Sequence, residues 1–339
     1  MTAIVDPQPV NRAAVNRIRL LILILGPLPI LGSSWALCAW FKSEPPPIVA
    51  PNRVLGVQAD RAAPEITTAT PAPQPSPLSG RALETGRQLE AMLGSECQVV
   101  VRSPFVLGSD LSRAEVEQLY DRTMAPAVLA MYRTYFATPP SDPITVLLFR
   151  NEDSYNRYCE ELFGERGISI YGYYKPRRRT LVLNIGTGSG TLLHELTHAL
   201  ADFDFPDLPD WLNEGLASLH EQSRFGSRGG EPWIEGLVNW RLAGLQEVVR
   251  DGRLDSLAEM MANPRFRGPG EGTNYAQARY FCLYMQQQGL LAEYYRAFRR
   301  DHAHDPYGQK TLAAVLPGVD LDQFDRDFQQ WVLALGQGD

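Results

Sequence analysis

The sequence predicts an α+β domain behind an N-terminal transmembrane helix. Three observations predict it: an uncharged run near the start, short apolar or alternating segments between residues 96 and 185, and helical periodicity from 190 onward. Leu20 to Phe41 holds 22 residues without a charge, about the number needed to cross a hydrocarbon core. Gly26, Pro27, Pro29 and Gly32 weaken a helix there, and a cleaved signal segment is the alternative. Arg12, Arg17 and Arg19 precede the run and only Lys42 and Arg53 soon follow it. The positive-inside rule therefore makes 1–19 a cytoplasmic tail, 20–41 the anchor, and everything after it extracytoplasmic.

Residues 42–79 contain nine prolines, including Pro45-Pro46-Pro47 and alternating Pro71, Pro73, Pro75 and Pro77. Proline fixes φ and removes donors, so this stretch reads as a semi-stiff linker. The body, 80–339, has enough apolar residues for a core: the chain is 44% hydrophobic and 21% charged. A net charge of −7 argues against a chain built to grip nucleic acid. No internal repeat is visible.

Within the body, 81–93 predicts a helix and Glu96 to Arg102, with Val99 and Val101 alternating, a strand. Ser112 to Tyr135 predicts one long helix, opened by a Ser112/Glu115 capping box. Ile144 to Phe149 is a strand and Tyr155 to Leu162 part of a helix. Ile168 to Tyr174 and Thr180 to Ile185 flank a turn at Lys175 to Arg178. Helices follow at 190–202, 211–222, 232–250, 274–288, 290–302 and 320–335.

One helix carries chemistry. His194-Glu195-Leu196-Thr197-His198 places two imidazoles four residues apart, hence on one side, where they can take two corners of a Zn²⁺ tetrahedron. Glu195 projects beside them, near where water on the ion would sit. Leu193, Leu196 and Leu200 lie on the opposite, core-facing side, and Gly186-Thr187-Gly188-Ser189-Gly190 supplies the preceding turn. Downstream, Asp210 reads as the N-cap of a helix in which Glu214 falls early. If that helix returns antiparallel to the first, Glu214 faces the histidines. Two histidines and one carboxylate leave a fourth position open, as catalytic rather than structural zinc sites do.

The stretches HELTHAL (194–200) and DWLNEGLAS (210–218) resemble the gluzincin metallopeptidases, most closely the peptidase MA-like group of exported bacterial proteins. Residues 144–159 and 177–184 are similar to the group's strands and helix ahead of the metal helix, and the resemblance covers about 130–290. It implies a zincin-like metallopeptidase domain with a small mixed sheet and a mostly helical C-terminal part. It further implies one Zn²⁺ held by His194, His198 and Glu214, Glu195 as general base, and peptide or protein substrates. Asn213 matches a position where related enzymes place a partner for a zinc histidine. Many relatives also carry an Asp four residues after the third ligand to orient the first histidine; here that residue is Ser218. Tyr275 matches the oxyanion tyrosine of the gluzincin aminopeptidases, with Tyr280 and Tyr173 as rivals and a packed tyrosine as the plain alternative. By the same analogy strand 180–184 borders the cleft, where an extended peptide could pair with it.

Other residues read more simply. Arg177 to Arg179 form a solvated turn rather than a selector of acidic substrate ends. His220 points away from Glu214's face and serves packing or surface, and His302 and His304 make a polar helix end. Cys38 falls in the anchor. Cys97, Cys159 and Cys282 allow at most one disulfide, with Cys282 reading as a buried hydrophobe. The expectation is a membrane-anchored extracytoplasmic zinc metallopeptidase. Its rivals are an inactive peptidase-like binding module at the cell surface and a structural envelope protein without stoichiometric metal.

Overall fold

The computed structural model describes residues 76–167 and 169–336. The expected tail 1–19, the anchor 20–41 and the linker up to residue 75 lie outside the described residues, as does Cys38. All the described residues belong to one unit, Pro71–Asp339. No helix among the described residues is long and apolar enough to cross a membrane.

The first helix, α1 (Pro77–Leu93), starts three residues inside the expected linker, because Ser76 caps it and Pro77 suits the first turn. Strands β1 (Gln98–Arg102), β2 (Phe105–Ser109), β3 (Ile144–Phe149), β4 (Gly172–Lys175) and β5 (Thr180–Asn184) form one sheet in the order β1-β2-β3-β5-β4. β1 and β2 are antiparallel, β2-β3-β5 run parallel, and β4 pairs antiparallel with β5, so the sheet is mixed. β2 is absent from the sequence expectation. Its five residues are all buried, which replaces the alternation that marks half-exposed strands with a short apolar run.

Alternation does survive inside the core. Leu147 and Phe149 of β3 pack on one face with Val106, Val182, Leu89, Leu93 and Tyr158. Val146 and Leu148 pack on the other with Leu107, Leu181, Leu183 and the helices beyond. The first face is covered by α1 and α4 (Glu152–Phe163); Cys97 and Cys159 sit buried there as free thiols. Cys282 is fully buried and free, so the disulfide left open by the sequence is not formed among these three.

The capping box of Ser112 and Glu115 is present and opens α2 (Arg113–Leu119). The single long helix expected through Tyr135 is instead interrupted by a π-helical turn at Tyr120–Met124, where the Ala125 N–H donates to the Tyr120 carbonyl. Pro126, lacking an N–H, follows this wider turn, and α3 (Ala125–Thr134) continues from it.

After β5 the chain is mostly helical: α5 (Ser189–Asp204), α6 (Asp210–Glu221), α7 (Leu242–Arg250), α8 (Leu257–Met261), α9 (Glu271–Gln287), α10 (Leu291–Asp301), α11 (Gln309–Val315) and α12 (Leu321–Ala334). The helix expected over 232–250 is corrected at its first half. That half instead holds β7 (Glu231–Gly236), paired in a hairpin with the preceding β6 (Ser223–Arg228), and only Leu242–Arg250 is helical. Gly229 and Gly230 take φ of 61° and 88°, the two positive values a tight hairpin turn needs. Arg228 stacks on Trp233 across it at 4.4 Å. The small mixed sheet followed by a mostly helical C-terminal part is thus an α+β arrangement.

One buried carboxylate ties these helices together. Asp204, at the end of α5, accepts from the backbone N–H groups of Ala137 (2.8 Å) and Thr138 (2.7 Å) and from the Tyr295 hydroxyl (3.0 Å), and it pairs with Arg299. Asp204→Ala leaves four donors without their acceptor and is expected to cost about 3–5 kcal/mol. Urea unfolding of the variant checks this; a loss below about 1 kcal/mol would show that water replaces the carboxylate freely.

Candidate metal centre

α5 places its functional face by burying the opposite one. Leu192, Leu193, Leu196 and Leu200 are buried against the sheet and neighbouring helices, which leaves His194, Glu195 and His198 on the cleft side. The Thr197 hydroxyl donates to the Leu193 carbonyl at 2.7 Å and lies 2.9 Å from His220 Nδ1, fastening α6 to α5. His220 is fully buried rather than a surface residue, and burial pushes its pKa down to about 3, so it stays neutral. His302 and His304 stand far along the chain in the short turn after α10, where His302 packs on Phe205 and Phe298.

The structure brings the three expected ligands together. His194 Nε2 and His198 Nε2 are 3.1 Å apart, and each lies 3.5 Å from a Glu214 carboxylate oxygen. One ligand atom from each lies within 4.8 Å of the others. With bonds of about 2.0–2.1 Å, a tetrahedral ion separates its ligands by about 3.3–3.4 Å. The observed triangle therefore matches a single small cation with one corner open.

The donor set itself asks for a cation. His198 Nδ1 lies 2.8 Å from Asn213 Oδ1, an acceptor, so Nδ1 carries the proton and Nε2 presents a lone pair to the cleft. Glu214 is 1% exposed, and its Oε2 has no hydrogen-bond partner among the described residues. Burial pushes Glu214 up, but His194, His198 and Arg267 outweigh it and hold the carboxyl at about 2. Burial pushes His198 down to about 4, which keeps it neutral, whereas for His194 burial is outweighed by Glu214, Glu195 and Glu221, which raise its pKa, so a cation must displace a proton there. Neutral imidazole and ionised carboxylate are the forms that bind metal.

The expectation that Asp210 caps α6 is corrected. Pro209 is the N-cap and Asp210 the first helical residue, where its charge favours the helix dipole and its carboxylate holds Arg267 Nε at 2.9 Å. Arg267 also reaches Glu214 Oε1 at 2.7 Å. Behind Glu214, Gly215 lets α6 and α9 touch: a Cβ there would lie 2.9 Å from the Ala278 carbonyl oxygen and 3.0 Å from Cys282 Sγ.

The acid that approaches His194 Nδ1 comes from a position other than the one the resemblance implies. Ser218 is fully buried, and its hydroxyl has no partner among the described residues. Glu221, one turn further on, brings Oε2 to 3.8 Å from His194 Nδ1 and is itself held by Arg241 at 2.8 Å. Glu221 lies seven residues after Glu214, two turns along the same helix face, so periodicity offered a signal for it. Arg267, 53 residues away in an irregular loop before α9, offered none.

Glu195 is 8% exposed beside the triad, and burial raises its pKa above the ordinary carboxylate value. Of the three tyrosines, Tyr275 borders the triad from α9, stacking on Phe266 at 5.6 Å. Burial and the Glu214 charge push its phenol up, so it stays a donor. Tyr280 is buried away from the cleft on the Asn239 backbone, and Tyr173, though in the wall, spends its hydroxyl on Glu165 at 2.8 Å. Arg179 of the exposed turn pairs with Asp142 and stacks on Phe203. Strand 180–184, expected to be open to a peptide, is paired on both sides; the unpaired edge beside the site belongs to β4.

Asn213→Ala removes the acceptor that sets the His198 tautomer, so metal affinity is expected to fall about 10–100-fold while the fold persists. Competition with a chelating dye measures it; unchanged affinity would strip Asn213 of that role.

No known protein-family profile matches the chain, and no curated protein matches it either.

Proposed function

We propose that this chain is a zinc-dependent hydrolase of peptide bonds, a zincin-like metallopeptidase held outside the cytoplasm by its N-terminal segment. The observation that carries the reading is the His194–His198–Glu214 triangle, with edges of 3.1–3.5 Å and the buried carboxylate of Glu195 beside it. A purely structural zinc site uses four protein ligands, whereas this group offers three. The ion, when bound, supplies positive charge that acidifies water and polarises a carbonyl.

The chain's own residues have separate tasks. Glu195 takes a proton from the attacking water and returns one to the leaving amine; its raised pKa suits both directions. Tyr275, protonated at neutral pH, donates toward the oxygen that gathers negative charge. Apart from the Tyr174 backbone, which bonds Glu195, the outer edge of β4 offers backbone groups on which an extended peptide can lie, which favours peptides over compact small molecules. The resemblance of HELTHAL and DWLNEGLAS to the peptidase MA-like group supports the same substrate class. Export and anchoring rest on residues 20–41 and the arginines before them.

The full chain, purified in mild detergent, tests the reading. About one zinc per chain is expected, with cleavage of a mixed peptide library that stops on chelation and returns with zinc. Absence of stoichiometric metal, or bound zinc with no peptide cut, would overturn it.

A further inference from the structure

Two cavities flank the triad and meet on it. One, of about 460 Å³, is walled by Tyr174, Pro176, Asp202, Phe205, Leu208 and Arg267. The other, of about 510 Å³, is walled by Tyr171, Thr191, Glu221, Trp240, Arg241 and Glu271. His194, Glu195 and Tyr275 belong to both. β4 contributes Gly172 to the second and Tyr173 and Tyr174 to the first, so its free edge passes the triad from one wing to the other. Each wing reaches the surface, at Pro176 and Pro206 on one side and at Tyr171, Trp240 and Glu271 on the other.

We infer that this cleft takes an extended chain through its whole length and that the hydrolase cuts internal bonds, seating a large apolar or aromatic substrate residue between Tyr171 and Trp240. The inference rests on the peptidase reading and narrows its substrate class. At about 3.3 Å per residue, a segment laid along the four residues of β4 spans about 13 Å and has residues on both sides of the ion. An enzyme that trims ends must instead hold a terminal charge. Both arginines of the cleft are committed elsewhere: Arg241 to Glu221, and Arg267 to Glu214 and Asp210. Neither is left over for a terminal carboxylate. Glu271, exposed at the rim of one wing, and Asp202, bonded by the Tyr174 hydroxyl in the other, are the acids that would have to capture a free amino group.

The aromatic subsite follows from exposure. Trp240 is 72% exposed, and Tyr171 and its neighbour Ile170 are each 55% exposed. Grouped apolar side chains left facing water mark places that a partner covers. Trp240 is already stacked under Arg241 at 4.2 Å and is therefore held ready, and its ring can pack on another apolar side chain.

The test uses the zinc-loaded full chain and one set of synthetic peptides made twice, with free ends and with acetylated and amidated ends. Blocked peptides are expected to be cut internally at rates comparable to the free ones, with Phe, Tyr, Trp or Leu enriched at one position beside the cut. Trp240→Ala should lower kcat/KM about five-fold for peptides with an aromatic residue there, little for those with Ala, and leave zinc content unchanged. Cleavage confined to peptides with a free end would overturn internal cutting. An equal loss on all peptides would overturn the subsite. No cleavage of either set would sink the peptidase reading and this inference with it.

Discussion

Glu195→Gln is expected to abolish turnover while the protein keeps its metal. The amide matches the carboxylate in shape but cannot accept a proton, so kcat should fall by about 10²–10⁴-fold, the range that general bases supply. The three ligand side chains are untouched, so metal content should equal that of the parent, measured by elemental analysis of the same preparation. The parent's pH profile carries a matching sign. Glu195 works only when ionised, and burial raises its pKa. Activity should therefore climb with pH through a value above the ordinary carboxylate range and be lost as the pH drops below it. A glutamine variant that kept a tenth or more of the parental rate would take Glu195 out of the chemistry.

Glu214→Ala should act on the other half of the site, by releasing the ion. Glu214 is 1% exposed and supplies the one carboxylate of the triangle. Supporting residues change metal affinity by about 10–100-fold, and loss of a ligand should exceed that. The change also strands Arg267, whose guanidinium bonds Glu214 at 2.7 Å. Chelator competition on the purified variant gives the affinity; metal retained at the parental level would remove Glu214 from the site. Read together, the two variants separate binding from catalysis.

How much of this was legible in the amino-acid order depends on how local each cause is. Ile144 to Phe149 reads as a strand because five apolar residues and a β-branched threonine between turn signals leave little alternative, and the structure gives that span unchanged. The pair His194 and His198 needs only one turn of helix to meet. Glu214 was reachable because its helix follows α5 after a short connection and doubles back. β2 escaped because burial on both faces hides a strand's alternation. The helix expected at 232–250 ran too far because its apolar residues fit a helical period, whereas the two glycines before it impose a hairpin. Arg267 and Trp240 escaped for a different reason: each reaches the cleft from a loop, and only tertiary packing decides where a loop goes.

The closeness of α6 and α9 at Gly215 has a consequence for which ion the site would accept. The helix that carries the lone carboxylate is pinned against α9 by two backbones in near contact, so its place opposite the imidazoles of α5 does not rest on a pliant side chain at that seam. Such a frame cannot widen to suit a bulkier guest. Selection by size would then begin at the neighbour of the carboxylate ligand, a residue with no side chain at all.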